Sequence, residues 1–226
     1  VAKQMLIDVM LGVHAEDKAM IATTFSSHIA RLKSITELGI KLNRKVVFLG
    51  RSLSKYITAG ERIGLIDFQE NIKIIKHRDK VEKFLKKVEK EGKGKYLLVV
   101  TGHQGEPKAI LSRMARGELP FKFSTGDMVI FSCSVIPVEL NRDNRNKLEQ
   151  QLKNSGVRLF RDIHVSGHAA REDHRDLIEL IKPKYIVPSH AGYDHAVHLT
   201  ELAEEMGYKR NKTVYMMENG KRLKLK

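Results

Sequence analysis

Two histidine-bearing segments in the last third of the chain carry the residue types best suited to chemistry. Residues 163–165 and 185–188 are short apolar, β-branched runs that predict buried strands. Each run leads into small residues and a histidine, His168 or His190, and a helical pattern follows. Ligands gather at the carboxyl ends of strands in open α/β layers, so both histidines stand where catalytic groups are expected. Two structural histidines at strand ends are the alternative interpretation.

His168 is a candidate for acid–base chemistry beside an anionic oxygen. A positioned imidazole can give a proton to a leaving oxygen or neutralise negative charge on an oxygen. Gly167 lets backbone N–H groups approach an anionic oxygen closely, and Ser166 adds a hydroxyl donor. His164 and His168 lie four apart, which on a helix would make a ligand pair. Val165 and Gly167 instead favour a strand and a turn.

His190 is the candidate metal ligand. A neutral imidazole on a rigid strand end is a standard donor to zinc. His195 and His198 are spaced three apart on the predicted next helix, without cysteine or carboxylate support. We interpret these two, and His174, as surface residues.

The sequence around these histidines resembles the β-CASP branch of the metallo-β-lactamase nucleases. HVSGHA, followed about twenty residues later by PSHAG, is similar to the last two signature motifs of that branch. Family-like blocks also lie upstream in the expected order: IATTFSSHIARLKSI, VTGHQGEPKAILSRMARGE and VIFSCSVIPVELNRDNR. Within the branch, the likeness to archaeal ribonuclease J is the strongest and covers essentially the whole chain.

This resemblance implies roles for individual residues. It places His190 on one of two zinc ions, at a position that is His in RNA-processing members and typically Val in DNA-repair members. It places His168 beside the scissile phosphate as the catalytic residue. Two loops that follow strands, the first with Ser27 and Arg31 and the second at residues 101–107, would line an RNA channel. The implied substrate-binding residues are therefore His164, Val165, Ser166, Gly167, His168, Ser27 and Arg31.

The resemblance also implies an activity and partners. The family members are zinc-dependent ribonucleases, and we expect 5′-to-3′ exonucleolytic and possible endonucleolytic action on single-stranded RNA with a 5′ monophosphate. None of the ten histidines stands in an HxHxDH cluster, which the family places in an amino-terminal catalytic half. We therefore expect this chain to be inactive without that half, and the protein to form homo-oligomers. A noncatalytic nucleic-acid-binding subunit on the same scaffold is the main alternative. An unrelated Rossmann-like enzyme is a weaker one, since GxGxxG and P-loop motifs are missing from the sequence.

Apolar runs alternate with amphipathic stretches along the chain, which predicts a mostly parallel sheet with helices on both faces. The strand-like runs are 20–25, 45–49, 96–101, 127–132, 157–160, 163–165 and 185–188. The expected fold is α/β: a Rossmann-like β-CASP sheet plus the carboxy-terminal part of a metallo-β-lactamase αββα sandwich. Predicted divisions are a linker helix at 1–18, the β-CASP domain at 19–145 and the sandwich part at 146–226. Asn219 and Gly220 predict a terminal hairpin.

Composition favours a polyanionic partner. Lys plus Arg number 41 against 27 acidic residues, so the net charge is +14 and the pI is about 9.8. Basic surfaces are steered by phosphates, although a solvated, lysine-rich surface explains the same excess. We interpret Lys83, Lys86, Lys87, Lys90, Lys93 and Lys95 as such a surface. The lone Cys133 excludes an internal disulfide and suggests the cytoplasm, and no apolar run has the length of a membrane span.

Overall fold

The computed structural model describes residues 2–13, 15–68, 72–165 and 167–225. It divides into two compact units, Val1–Val165 and Ser166–Lys226. Within the described residues, no helix is both long and apolar enough to cross a membrane.

The first unit is built on a six-stranded parallel sheet. Its strands are β1 (Met20–Thr23), β2 (Lys45–Leu49), β3 (Ile72–Ile75), β4 (Tyr96–Val100), β5 (Met128–Phe131) and β6 (Arg158–Phe160). Their order across the sheet is β3-β2-β4-β1-β5-β6, and every neighbouring pair is parallel. In register, Met20 of β1 lies beside Leu97 of β4 on one side and Met128 of β5 on the other.

Six helices cover the two faces of this sheet. They are α1 (Ala2–Gly12), α2 (Ile29–Lys41), α3 (Arg51–Arg62), α4 (Arg78–Glu91), α5 (Ile110–Ala115) and α6 (Glu139–Asn154), with a short 3₁₀ helix at Lys93–Lys95. Side chains alternate along each strand, so Met20 and Ala22 pack with α1–α3 while Ile21 packs with α4–α6. Two buried apolar layers result, one on each face. The predicted α/β class with helices on both faces is confirmed.

The connections of β1 and β4 leave the sheet in opposite directions. From β1 the chain passes through α2 to β2 on one side of the sheet, whereas from β4 it passes through α5 to β5 on the other. The two strands are neighbours, so the sheet has a topological switch point between β1 and β4. Such a switch point is where open α/β sheets bind ligands.

Most predicted strands are present, but the predicted strand at 163–165 is wrong. The N–H of Ile163 donates to the carbonyl of Phe131 (3.2 Å), but the Ile163 carbonyl accepts hydrogen bonds from side chains instead of a strand. Asp162 just before it has a left-handed backbone (φ 55°), which ends the extension of β6. Strand β3 is not among the predicted strands; its four residues form an edge of the sheet.

The first unit extends beyond the predicted domain boundary between residues 145 and 146. That boundary falls inside α6, and the strand after it, β6, pairs with β5 of the same sheet. Because β6 takes its hydrogen bonds from this sheet, residues up to Val165 belong to the first unit. The assignment of residues 1–18, 19–145 and 146–226 to family domains stays a prediction.

The second unit contains two helices and little regular strand. Its helices are α7 (Arg171–Ile181) and α8 (Tyr193–Glu205), which pack on an apolar cluster that includes Ile178, Ala203 and Val214. The predicted strand at 185–188 is reduced to a bridge between Ile186 and Val214. The predicted terminal hairpin is wrong: Gly220 is in a turn (φ 82°), but the described residues on either side of it form no strand.

Candidate nucleic-acid site

The loops that follow β1, β4, β5 and β6 form the carboxyl edge of the first unit. At the switch point, the rings of Phe25 and His103 meet edge to face, with centroids 4.2 Å apart. Ser27 is exposed in the loop after β1. The neighbouring Ser26 hydroxyl lies 3.0 Å from that of Ser52, at the start of α3. The loop after β1 therefore reaches towards both β4 and the β2 side of the sheet.

His28, rather than Ser26 or Ser27, caps α2. Its Nδ1 accepts a hydrogen bond from the backbone N–H of Arg31 (3.3 Å), a task that serine or threonine usually performs. Because Nδ1 accepts this bond, it is the unprotonated nitrogen of the ring.

Arg31 is buried, which differs from the direct RNA contact expected for it. Only 5% of the residue is exposed. Its Nη1 donates to the Ser132 hydroxyl (2.9 Å) and to the Ile163 carbonyl (2.8 Å), and the Ser132 hydroxyl donates to the same carbonyl (2.8 Å). Burial lowers the pKa of Arg31, and the nearby Cys133 opposes this effect. Among the described residues, no carboxylate forms an ion pair with Arg31. Arg31 thus positions the segment that carries His164.

His164 is half-buried at the end of the first unit. Its Nδ1 is buried and has no hydrogen-bond partner among the described residues. Burial lowers the pKa of His164, and the nearby Arg31 and His28 lower it further, against the opposing charge of Asp162. The imidazole is therefore neutral at pH 7, able to donate one hydrogen bond but not to act as a cation. Val165 beside it is exposed.

A second polar cluster lies behind the loop after β4. Arg145 of α6 is 2% exposed, stacks on Phe131 with its guanidinium carbon 3.3 Å from the ring centroid, and donates to the His103 carbonyl (2.7 Å). Its Nε lies 2.9 Å from the Glu149 carboxylate. Arg145 is not among the site residues predicted from the sequence. Its spacing from Leu148 and Leu152, three and seven residues, indicates that it lies on the buried face of α6.

His103 is held neutral by these surroundings. Burial lowers its pKa, and Arg145 lowers it further, while Glu106 raises it from 3.8 Å away. The loop bends at Gly105 (φ 76°), where an added Cβ would lie 2.4 Å from the backbone of Asn144. The loop is therefore a tight turn packed on α6. Helix α5 starts only at Ile110, after this loop.

The second unit brings His168 and His190 together. Their rings stack with centroids 5.7 Å apart and planes 17° from parallel, and both side chains are exposed. His190 has a left-handed backbone (φ 60°), a conformation that histidine adopts more readily than β-branched residues. The Asp173 carboxylate accepts from the backbone N–H of Ala170 (2.7 Å) and so fixes the start of α7 close after His168.

Gly167 has room around it, while Ser166 lies outside the described residues. A Cβ built on Gly167 would meet no atom within 4 Å, and its φ is not in the left-handed region. The fold therefore does not itself require glycine there. The space beside Gly167 is open among the described residues.

The described residues do not complete a zinc site. Structural and catalytic zinc ions take at least three protein ligands, and no group of three His, Cys, Asp or Glu residues is placed to hold a metal within the described parts of the chain. His190 offers one donor. His198 lies 3.2 Å from Glu201 on the exposed face of α8, and His195 is exposed there too.

Comparisons with known proteins also divide the chain into two parts, but their boundary lies before β6, whereas the compact units divide after Val165. A family model described as the ribonuclease J β-CASP domain matches residues 17–152, and one described as the Zn-dependent metallo-hydrolase RNA specificity domain matches residues 157–217. Similar relatives named ribonuclease J occur in Methanocaldococcus jannaschii (44% identical over 97% of this chain), Pyrococcus abyssi (46% over 97%) and Helicobacter pylori (33% over 89%). The matches cover 49%, 48% and 28% of those relatives.

The chain thus spans about half the length of the archaeal relatives it matches. The resemblance seen in the motifs is confirmed, since the first family model alone matches more than half of the residues. This chain belongs to the ribonuclease J family of β-CASP proteins.

Proposed function

We propose that this chain is the β-CASP and RNA-specificity part of a zinc-dependent ribonuclease that hydrolyses RNA phosphodiester bonds in RNA decay and processing. We further propose 5′-to-3′ exonucleolytic action on single-stranded RNA that carries a 5′ monophosphate. The observation that carries the proposal is the adjacent pair His168 and His190, in the unit matched by the metallo-hydrolase RNA specificity model.

The two histidines have different proposed roles, His190 as a metal ligand and His168 as a catalytic residue. His190 would give one nitrogen donor to a centre of two zinc ions, and a catalytic half beyond the described residues would give the other ligands. Such a centre would supply neutralisation of phosphate charge and activation of water. His168 contacts the scissile phosphate and gives a proton to the leaving oxygen. Because one donor does not make a metal site, this chain is inactive alone.

The proposed substrate-binding residues are those of the segment His164, Val165, Ser166, Gly167 and His168, and Ser27 of the loop after β1. Neutral His164 contributes a hydrogen bond rather than a charge, as the lowered pKa requires. Arg31 acts through this segment, because its buried guanidinium holds the Ile163 carbonyl. It is a positioning residue for the proposed site.

Assays on the complete protein test the activity and its direction. With zinc present, single-stranded RNA bearing a 5′ monophosphate should be degraded from that end into mononucleotides. A circular RNA of the same sequence, which has no 5′ end, should survive. Cleavage of the circle would replace the exonuclease by an endonuclease. Binding without any cleavage would favour a noncatalytic RNA-binding subunit.

We also propose a cytoplasmic homo-oligomer. The buried thiol of Cys133 and the net charge of +14 suit a reducing compartment that contains RNA. Three large apolar side chains of α7 lie exposed: Leu177 (49%), Leu180 (82%) and Ile181 (61%). Such surfaces favour association. Sedimentation of the complete protein as a monomer at micromolar concentration would contradict the oligomer.

A further inference from the structure

A basic surface on the first unit lies outside the residues assigned above. Two cavities of about 780 and about 650 Å³ adjoin each other there and share Lys76 and His77. The larger lies at the carboxyl ends of β2, β3 and β4, with Gly50, Lys76 and Thr101 in its lining. The smaller lies beside the edge strand β3 and α4, with Lys73, Lys80 and Lys83 in its lining.

The lining of both cavities is cationic. No aspartate or glutamate of the described chain lines either one. Glu82 partly neutralises Arg78 (3.0 Å) and Arg113 (3.8 Å), and Glu91 lies 3.4 Å from Lys87. The other lysines and arginines that line the cavities have no carboxylate within 4.0 Å among the described residues: Arg51, Lys55, Lys73, Lys76, Lys80, Lys83 and Lys108. A solvated surface usually intersperses both signs, so this run of one sign is distinctive.

The basic surface is continuous with the candidate site. Ser52 lines the larger cavity, and its hydroxyl lies 3.0 Å from that of Ser26 in the loop after β1. Thr101, at the end of β4, lines the same cavity and precedes the loop that carries His103. A strand of nucleic acid that reached the loops after β1 and β4 could continue into the larger cavity, which is lined by basic residues.

We propose that this surface binds the phosphate backbone of single-stranded RNA, as a tract additional to the segment 164–168. The proposal rests on RNA being the partner of the proposed function. The side chains that carry it are Arg51, Lys55, Lys76, Lys80, Lys83 and Lys108. Lysine ammonium groups attract phosphates as point charges and do not contact base edges. The tract therefore binds the charged backbone and does not distinguish base sequences.

The test compares two triple variants of this chain that lose the same charge. The first, Lys76→Gln/Lys80→Gln/Lys83→Gln, removes the centre of the tract. The matched control, Lys41→Gln/Lys147→Gln/Lys153→Gln, removes three exposed lysines of α2 and α6 that also have no ion pair among the described residues. Fluorescence anisotropy with a labelled oligouridylate measures affinity from about 50 to about 200 mM salt, and circular dichroism checks that both variants fold.

The tract variant should lose affinity and salt dependence together. Each phosphate contact on a single strand adds about 0.7 to the slope of log affinity against log salt, or about fivefold in affinity at 0.1 M. Three contacts therefore predict a slope smaller by about 2 and a loss of about 100-fold, while the control loses far less. An uncharged morpholino of the same sequence should not bind to the tract.

Equal affinities of the tract variant and its control would overturn the proposal. That result would leave the proposed function standing if the complete protein still cleaved RNA. If the unsubstituted chain bound no RNA at all, the tract would be refuted directly, and cleavage by the complete protein would decide the proposed function separately. Tight binding of the morpholino would show that the surface does not recognise phosphate.

Discussion

Replacing Gly167 by alanine separates the needs of the fold from the needs of a ligand. A Cβ at this position meets no protein atom within 4 Å, and the backbone is outside the left-handed region. Alanine at such a site restricts the unfolded chain and leaves the native contacts intact. The free energy of unfolding should therefore rise by about 0.4–1 kcal/mol or stay unchanged.

RNA binding should respond in the opposite direction. The proposed role of this segment is to bring backbone N–H groups to hydrogen-bond distance from a phosphate oxygen. A methyl group beside those donors prevents the approach. Loss of one hydrogen bond to a charged group costs about 1.5–3 kcal/mol, which is roughly a 10- to 150-fold loss of affinity.

The assay pairs thermal unfolding of this chain with RNA affinity, and with cleavage rates of the complete protein. Gly12→Ala is the matched control, since a Cβ there also meets nothing within 4 Å and α1 tolerates alanine well. Gly12→Ala should leave affinity and cleavage unchanged. If Gly167→Ala bound and cleaved RNA as the unsubstituted protein does, close backbone approach to phosphate at this position would be refuted.

Three further predictions concern single residues. In the complete protein, His190→Ala should lower zinc content and activity together, whereas His168→Ala should keep its zinc and lose turnover; equal zinc content in both, measured by metal analysis, would remove His190 from the metal centre. Gly105→Ala should destabilise the first unit by about 2 kcal/mol or more, because φ is left-handed and the Cβ would lie 2.4 Å from the Asn144 backbone; an unchanged urea midpoint would contradict this. Arg31→Met should change the free energy of unfolding little, since it also removes a buried charge. It should raise the amide exchange rate near residue 163 and weaken RNA binding, because the hydrogen bond to the Ile163 carbonyl is lost. An unchanged exchange rate would show that Arg31 does not anchor the segment.

Hydrophobic periodicity was enough to predict the layered α/β fold and most of its elements. The runs at 45–49 and 96–101 became β2 and β4 almost to the residue, because both are central strands buried on both faces. The edge strand β3 was not predicted, since only one of its residues, Ile75, is buried. Its run of apolar residues is short and is interrupted by Lys73.

The details of the site depended on contacts between distant parts of the chain. Arg31 reads as an exposed basic residue one turn into a helix, and its burial follows only once Ser132 and Ile163 lie beside it. Residues 163–165 have the composition of a strand, yet the Ile163 carbonyl accepts hydrogen bonds from the side chains of Arg31 and Ser132. Stacking of His168 on His190 likewise depends on how two separate loops fold back, which no local pattern encodes.

The two edges of the sheet share a feature with a consequence for solution behaviour. Both edge strands are short, and both carry basic residues: Lys73 within β3, and Arg158 and Arg161 in and after β6. An unpaired strand edge is a template for pairing with another copy, and positive charge on it keeps copies apart by mutual repulsion. Salt weakens that repulsion as it weakens RNA binding. Concentrated salt should therefore dissociate RNA from the protein and at the same time promote self-association of the protein. Nucleic acid is therefore best removed with salt while the protein concentration is low.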